Sequence, residues 1–196
     1  MIYWLAYALM KILDKIYFHC QFIGRENLPK TGSYILASNH ISNLDPFILG
    51  ISCSRRFSYM AKDSLFKNKS LAFLFYQVGA FPIKRDTADF RALRESLRRL
   101  KNGCPLILFP EGTRGAGDRT KKLNPGVGFI AVKSGVPVVP AFIEGSDKAL
   151  PPGARWFRRH PVKIYLGKPA YFTKEQSYEE IASQIMHNVV VLEPHA

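Results

Sequence analysis

The chain has 196 residues and a formal net charge of +13, with 47% apolar and 13% aromatic residues. That combination excludes a short peptide, a large multidomain machine and an acidic disordered tail, and it predicts one basic domain able to bury its own core. Positive charge runs through both halves, so it favours anionic partners (nucleic acid, anionic membrane or phosphorylated metabolites) without choosing among them.

Taken in chain order, the first stretch, Met1 to Met10, is almost wholly apolar and carries Tyr3, Trp4 and Tyr7. Lys11, Asp14 and Lys15 interrupt it well before the roughly 20 apolar residues that a bilayer crossing needs. The leading positive charge and small-residue cleavage site of a signal peptide are not evident. Leu5, Leu9, Leu13 and Ile16 recur at helical spacing, which predicts an amphipathic membrane-associating helix over 1–19, lying in a membrane surface. Docking on the protein's own core is the alternative.

Beyond this helix, over 20–196, short β-rich runs alternate with helical stretches, which predicts an α/β domain with a mixed, mostly parallel sheet of about seven strands flanked by helices. The strands are expected at Cys20–Gly24, Ser33–Ser38, Phe57–Ala61, Ala80–Lys84, Leu106–Phe109, Val138–Ile143 and Val162–Leu166. A helix over Thr87–Leu100 carries Phe90, Leu93, Leu97 and Leu100 on one face and turns Arg91, Arg94, Arg98 and Arg99 to water, with Thr87 as N-cap and Asn102-Gly103 as stop. Further helices are expected over Gly126–Ser134, ending at Gly135, and over Gln176–Leu192. Irregular loops are expected at Gly112–Pro125 and Asp147–Arg159, and no repeat or linker divides the domain. Cys20, Cys53 and Cys104 are an odd number without metal-like spacing and read as buried free thiols of a reducing compartment. His19, His160, His187 and His195 are scattered, so no metal site is expected.

Four stretches stand out. In Ser38-Asn39-His40-Ile41-Ser42-Asn43-Leu44-Asp45-Pro46, a histidine follows the end of a strand, where α/β folds expose functional groups. Five helical steps would set His40 and Asp45 about 140° apart, so contact between them requires a turn, which Ser42-Asn43 can supply. Asp45 would alternatively cap a helix over Pro46–Ser52, and His40 would alternatively be a satisfied half-buried imidazole. A pair has a different use: the carboxylate fixes the ring tautomer and leaves the other nitrogen to take a proton from an alcohol. In Phe109-Pro110-Glu111-Gly112-Thr113-Arg114-Gly115, Gly112 lets backbone approach a ligand, Thr113 offers a hydroxyl and Arg114 can grip phosphate, unless the segment is only a polar turn. Gly79 to Arg85 is a strand ending in the cations Lys84 and Arg85, and Val136 to Pro140 is an apolar strand whose two prolines suit a first-residue or edge position.

Together and in this order, the four stretches resemble the signature blocks of the glycerolipid acyltransferase family, over about residues 20–170, and are most similar to its bacterial 1-acylglycerol-3-phosphate branch. The resemblance implies an enzyme of phospholipid synthesis that moves a fatty acyl group from a thioester, acyl-CoA or acyl carrier protein, to the sn-2 hydroxyl of a 1-acyl-glycerol-3-phosphate. It implies His40 as general base and Asp45 as its orienting partner. It assigns acceptor-phosphate binding to Arg85, Glu111, Gly112, Thr113 and Arg114, with Asn39, Lys84 and Pro110 in support. Glu111 repels phosphate while ionised, so it is expected to pair with a cation or orient its loop. Direct transfer needs no acyl-enzyme, which leaves Ser42 as a turn residue and Cys104 as a thiol without a catalytic part. The oxyanion donors are expected among backbone N–H groups near His40 or Gly112. No cofactor or metal is implied beyond the co-substrate. The expected partners are membrane lipid, an anionic membrane surface and acyl carrier protein rather than nucleic acid, at the cytoplasmic face as a peripheral or monotopic protein. Other lysophospholipids or glycerol 3-phosphate are alternative acceptors. A basic non-catalytic binder of lipid or nucleic acid is the reading from another class, and it has no use for His40 and Asp45.

Overall fold

The computed structural model describes residues 1–84, 89–113 and 123–194. Seven strands form one sheet: β1 (Gln21–Ile23), β2 (Ile35–Ser38), β3 (Ser58–Lys62), β4 (Ala80–Ile83), β5 (Leu106–Leu108), β6 (Val138–Glu144) and β7 (Lys163–Leu166). Their order is β1-β7-β6-β2-β5-β3-β4, and every pairing is parallel except that of β6 with β7. All seven expected strands are present, with ends shifted by one or two residues. The central strands β2 and β5 are buried along their whole length, which is why they read as unbroken apolar runs without alternation.

The edge position expected for the Val136–Pro140 strand is incorrect: β6 lies third in the sheet, between β7 and β2. Pro137 precedes the strand. The carbonyl of Pro140 accepts the Gly167 N–H at 2.9 Å on the β7 side, just past the end of β7. Pro140 and Gly167 thus face each other as a pair that keeps one bond of two, because the proline has no N–H, and regular β7 pairing gives way just beyond to the isolated Val138–Ala170 bridge.

Helices cover both faces. On one face, α1 (Ile2–Leu13), α2 (Asp45–Gly50) and α3 (Lys69–Gln77) lie over a core that includes Leu36, Ile48, Phe57 and Ile164. On the other, α4 (Phe90–Lys101), α5 (Pro125–Ser134) and α7 (Tyr178–Val190) cover Ile35, Phe81, Ile130 and Ile185. The short α6 (Ser146–Ala149) follows β6. Helix α3 and the 3-10 turn Asp63–Phe66 before it carry no amphipathic stripe and are not legible in the pattern.

Three details of α4 differ from expectation. Thr87 lies outside the described residues, and the helix is capped by Asp89, whose side chain accepts from the N–H groups of Arg91 and Ala92. Phe90 is exposed, and the buried positions are Ala92, Ser96 and Leu100. Arg99 is not a solvated arginine: it donates to Ser58 Oγ at 3.0 Å and to the Gly79 carbonyl at 2.8 Å, and lies over the Phe81 ring. Hydrogen bonds from Arg98, and then from Arg99, hold the Glu95 carboxyl down at about 2. Because this value lies below the unfolded one of about 4.3, the stabilisation is complete above pH ~4 and disappears as pH falls toward ~2. Glu95→Gln is therefore expected to cost less than about 1 kcal/mol near neutral pH, given its solvent screening. Urea melts of the two proteins should converge in acid.

The predicted α5 boundary holds, with Asn124 capping Gly126 N–H and Gly135 closing the helix at φ 64°. Gly128 on α5 meets α7 so closely that an added Cβ would lie 2.2 Å from the Tyr178 carbonyl oxygen. Backbone cannot yield there as a side chain would. Gly128→Ala is expected to lower stability by about 1–3 kcal/mol, measured as a reduced urea midpoint at unchanged slope.

Helix α1 packs one side on the core and leaves the other exposed. Met10, Leu13 and, in the following π-helical turn Asp14–Phe18, Tyr17 pack on the core. The Tyr3 hydroxyl accepts the Phe57 N–H at 3.0 Å and donates to the Arg55 carbonyl, and burial pushes this phenol up to about 12. Trp4, Leu5, Leu9, Ile12 and Ile16 remain exposed, Leu5 by 71%. Among the described residues no helix is long and apolar enough to cross a membrane. The three cysteines are free but half-buried rather than buried. Burial and the neighbouring Asp14 push the Cys20 thiol up, away from nucleophilic character.

Candidate active site

Strand β2 ends at Ser38, and the chain then turns sharply instead of continuing into a helix. Asn39 fixes this exit: its Nδ2 donates to the Ile143 carbonyl at 2.9 Å, and its Oδ1 accepts the Ile143 N–H at 2.7 Å. The two bonds fasten the carboxyl end of β2 to β6. The turn falls at Asn43-Leu44, one residue later than expected, and is closed by the Asp45 N–H on the Ser42 carbonyl.

The turn brings the two candidates together. His40 Nδ1 lies 2.8 Å from Asp45 Oδ2, with His40 8% exposed and Asp45 fully buried. The same Oδ2 accepts the N–H groups of Ile41 and Ser42, each at 2.8 Å. Asp45 therefore is not a helix cap: the groups it binds lie upstream of α2, at whose N-cap, Leu44, no side chain caps the helix. A carboxylate facing Nδ1 selects the tautomer with the proton on Nδ1, leaving Nε2 as the acceptor. Nε2 has no hydrogen-bond partner among the described residues. The ring lies flat on Phe109, centroids 4.0 Å apart, so both rotation and tilt of the imidazole are restricted.

The Phe109–Arg114 segment begins where β5 ends. Pro110 is buried, its carbonyl accepts the Asn124 N–H at 2.8 Å, and Gly112 takes the left-handed conformation at φ 67° that the turn requires. Glu111 Oε1 accepts the backbone N–H of His40 at 3.1 Å, so the acid orients its loop against the histidine strand. Thr113 is half-buried beside it, and Lys84 is exposed with its N–H on Asp89. Arg85 and Arg114 lie outside the described residues. Of the backbone donors expected near His40 or Gly112, four are already committed. The N–H groups of His40, Ile41, Ser42 and Gly112 all donate within the protein, to Glu111, Asp45 and the Phe109 carbonyl.

One further residue reaches the pair without a signal in the chain. Ser146, at the start of α6 and fully buried, donates from Oγ to Asp45 Oδ1. Both carboxylate oxygens are thereby occupied, and rotation of the carboxylate would break bonds at both ends. A serine 101 positions from Asp45 has no local pattern by which to be found. Ser146→Ala is expected to lower kcat roughly tenfold with the acceptor KM unchanged, a split that loss of general packing would not produce.

A cavity of about 500 Å³ lies next to the motif, walled by Asn39, Ile41 and Glu111 on one side and by Phe142, Met186 and Val190 opposite, with neither His40 nor Asp45 in its lining. Its polar and apolar walls suit a ligand that is itself part polar and part hydrocarbon.

A buried imidazole with one nitrogen committed to a carboxylate and the other open, set at the carboxyl end of a central parallel strand, defines an α/β protein equipped for general-base chemistry. A family model described as acyltransferase matches residues 19–144, and the chain belongs to that family. Among its relatives, the Brassica napus chloroplastic 1-acyl-sn-glycerol-3-phosphate acyltransferase BAT2 is 32% identical over 77% of this chain and 45% of its own length. The Bacillus subtilis 1-acyl-sn-glycerol-3-phosphate acyltransferase is 29% identical over 82% of this chain and 79% of its own. The crystal structure of the 1-acyl-sn-glycerophosphate acyltransferase PlsC from Thermotoga maritima superposes with a TM-score of 0.76 at 27% identity, covering 97% of this chain and 79% of that one. The chain thus spans less than half the length of the chloroplast relatives it matches.

Proposed function

We propose that the protein transfers a fatty acyl group from a thioester, acyl-CoA or acyl carrier protein, to the sn-2 hydroxyl of 1-acyl-glycerol-3-phosphate, giving phosphatidic acid. The observation that carries this reading is the His40–Asp45 pair with its open Nε2, in a chain whose relatives bear that activity in their names. Nε2 takes the hydroxyl proton as the acceptor oxygen attacks the thioester carbonyl, because an alcohol is too weak an acid to ionise first. Asp45 holds the ring in its tautomer and offsets the positive charge that the ring then carries. The tetrahedral intermediate collapses with cleavage of the carbon–sulfur bond, and the imidazolium returns its proton to the departing thiolate. Oxygen thus gains the acyl group, sulfur leaves as thiol, and His40 ends neutral.

Arg85 and the Glu111–Arg114 turn hold the acceptor phosphate, Arg114 through paired hydrogen bonds and Glu111 by orienting the turn. Residues 1–19 act as the membrane-associating helix of a peripheral protein on the cytoplasmic leaflet and 20–196 as the acyltransferase domain. The exposed apolar face of α1 and the net charge of +13 support that placement. The test is acyl transfer from both donors to 1-acyl-glycerol-3-phosphate in vesicles, with glycerol 3-phosphate and lysophosphatidylcholine in parallel. Phosphatidic acid as the dominant product is expected. A folded, vesicle-bound protein that acylates only one of the other two acceptors would replace this acceptor, and one silent with all three would overturn the proposal.

A further inference from the structure

Helix α3 places its apolar side chains on the wrong side for a helix that only covers a core. Of its nine residues, KSLAFLFYQ, Ala72 alone is buried, while Leu71, Phe73, Leu74 and Tyr76 are exposed, Phe73 by 58%. The preceding 3-10 turn adds exposed Leu65. Clustered large apolar side chains in water mark a surface that some partner covers.

Two observations identify the partner. First, α3 lies over the same sheet face as α1, since Phe66, Phe75 and Val78 join one core cluster with Met10 and Leu13. An apolar groove runs between α1 and α2, lined by Tyr7 and Met10 on one side and by Pro46 and Phe47 on the other, and it reaches Val78, the residue that ends α3. Second, the segment carries its own basic fringe: Lys62, Lys67 and Lys69 are all exposed, against Asp63 as the one acid between residues 62 and 77. Exposed aromatic and leucine side chains rimmed by lysines match the interface of an anionic bilayer, with hydrocarbon below and lipid phosphates at the level of the ammonium groups.

We propose that α3 is a second membrane-contacting element, inserting Phe73 and Leu74 beside the exposed face of α1, so that the domain is held at two places rather than hinged on one helix. This inference rests on the membrane placement of α1 and adds to it. Two contacts on one sheet face would fix the tilt of the domain, and with it the height of His40 above the leaflet.

The test is sedimentation with vesicles of phosphatidylcholine and phosphatidylglycerol, comparing the wild type with Phe73→Ser/Leu74→Ser. Both side chains are exposed, so circular dichroism and the melting temperature should be unchanged. The partition coefficient should fall by at least about tenfold. In parallel, Phe73→Trp in a Trp4→Phe/Trp156→Phe background should be quenched by brominated lipid. Wild-type binding with an unaltered partition coefficient in the double variant, or an unquenched tryptophan at that position, would overturn the proposal while leaving α1 at the membrane. A wild type that ignores vesicles altogether would remove the membrane placement of α1 and this inference together. A wild type that self-associates, with a monomeric double variant and no quenching, would assign the patch to a second copy of the chain instead.

Discussion

His40→Ala is expected to reduce acyl transfer by about 10²–10⁴-fold, the range that a positioned general base contributes. The variant should nevertheless fold. The imidazole gives up one bond to Asp45 and its stack on Phe109, while Asp45 keeps the N–H groups of Ile41 and Ser42 and the hydroxyl of Ser146. The His40 N–H continues to hold Glu111, because that bond is made by the backbone. A stability loss of no more than about 3 kcal/mol is expected from the space left behind. The deciding measurement is turnover at saturating acceptor together with a urea melt of the same preparation. A folded variant whose kcat stays within about tenfold of wild type would take His40 out of the reaction.

Asp45→Asn should cost nearly as much, about 10²–10⁴ in kcat, through loss of charge rather than loss of structure. The asparagine keeps an oxygen that can accept from Ile41 and Ser42, and the Ser146 hydroxyl can reverse its role and accept from the new amide. What it cannot supply is a negative charge against the imidazolium. Asp45→Ala removes the same charge and also takes the acceptor from four donors, the Ile41 and Ser42 N–H groups, the Ser146 hydroxyl and the His40 Nδ1–H, in a buried site, so it should be the less stable of the two. Equal activity of the wild type and Asp45→Asn would reduce the aspartate to an architectural residue. Equal stability of the Asn and Ala variants would contradict the hydrogen-bond count around it.

These effects depend on contacts of different range, and the range decides what the chain alone discloses. The seven strands were legible because they are short, mostly apolar runs, most of them followed closely by Gly, Pro, Asn or Asp, a property of neighbours. The boundary at Gly135 and the stop at Asn102-Gly103 are local in the same way. His40 and Asp45 are five residues apart, so a turn was enough to foresee their meeting. Pro140 misled because a proline reports only that its own N–H is missing, and whether a neighbour needs that N–H depends on where β7 stops, more than twenty residues later. Arg99 misled likewise, since helical periodicity gives it a face but not the Ser58 hydroxyl and Gly79 carbonyl waiting there.

By itself, then, the amino-acid sequence determined the class of fold, the strands, the family and the histidine–aspartate pair, all of which follow from patterns within a few residues or from the order of short blocks. The tertiary structure alone decided that Ser146 occupies the second oxygen of Asp45, that Asn39 ties β2 to β6, that Glu111 grips the His40 backbone, and that α3 turns its aromatic residues outward. Each of these is a meeting of distant segments or a side without a covering partner. Such outcomes are set by how the elements stack, because a hydroxyl, an amide or a phenyl ring carries no mark of the group it will face once the chain has closed around it.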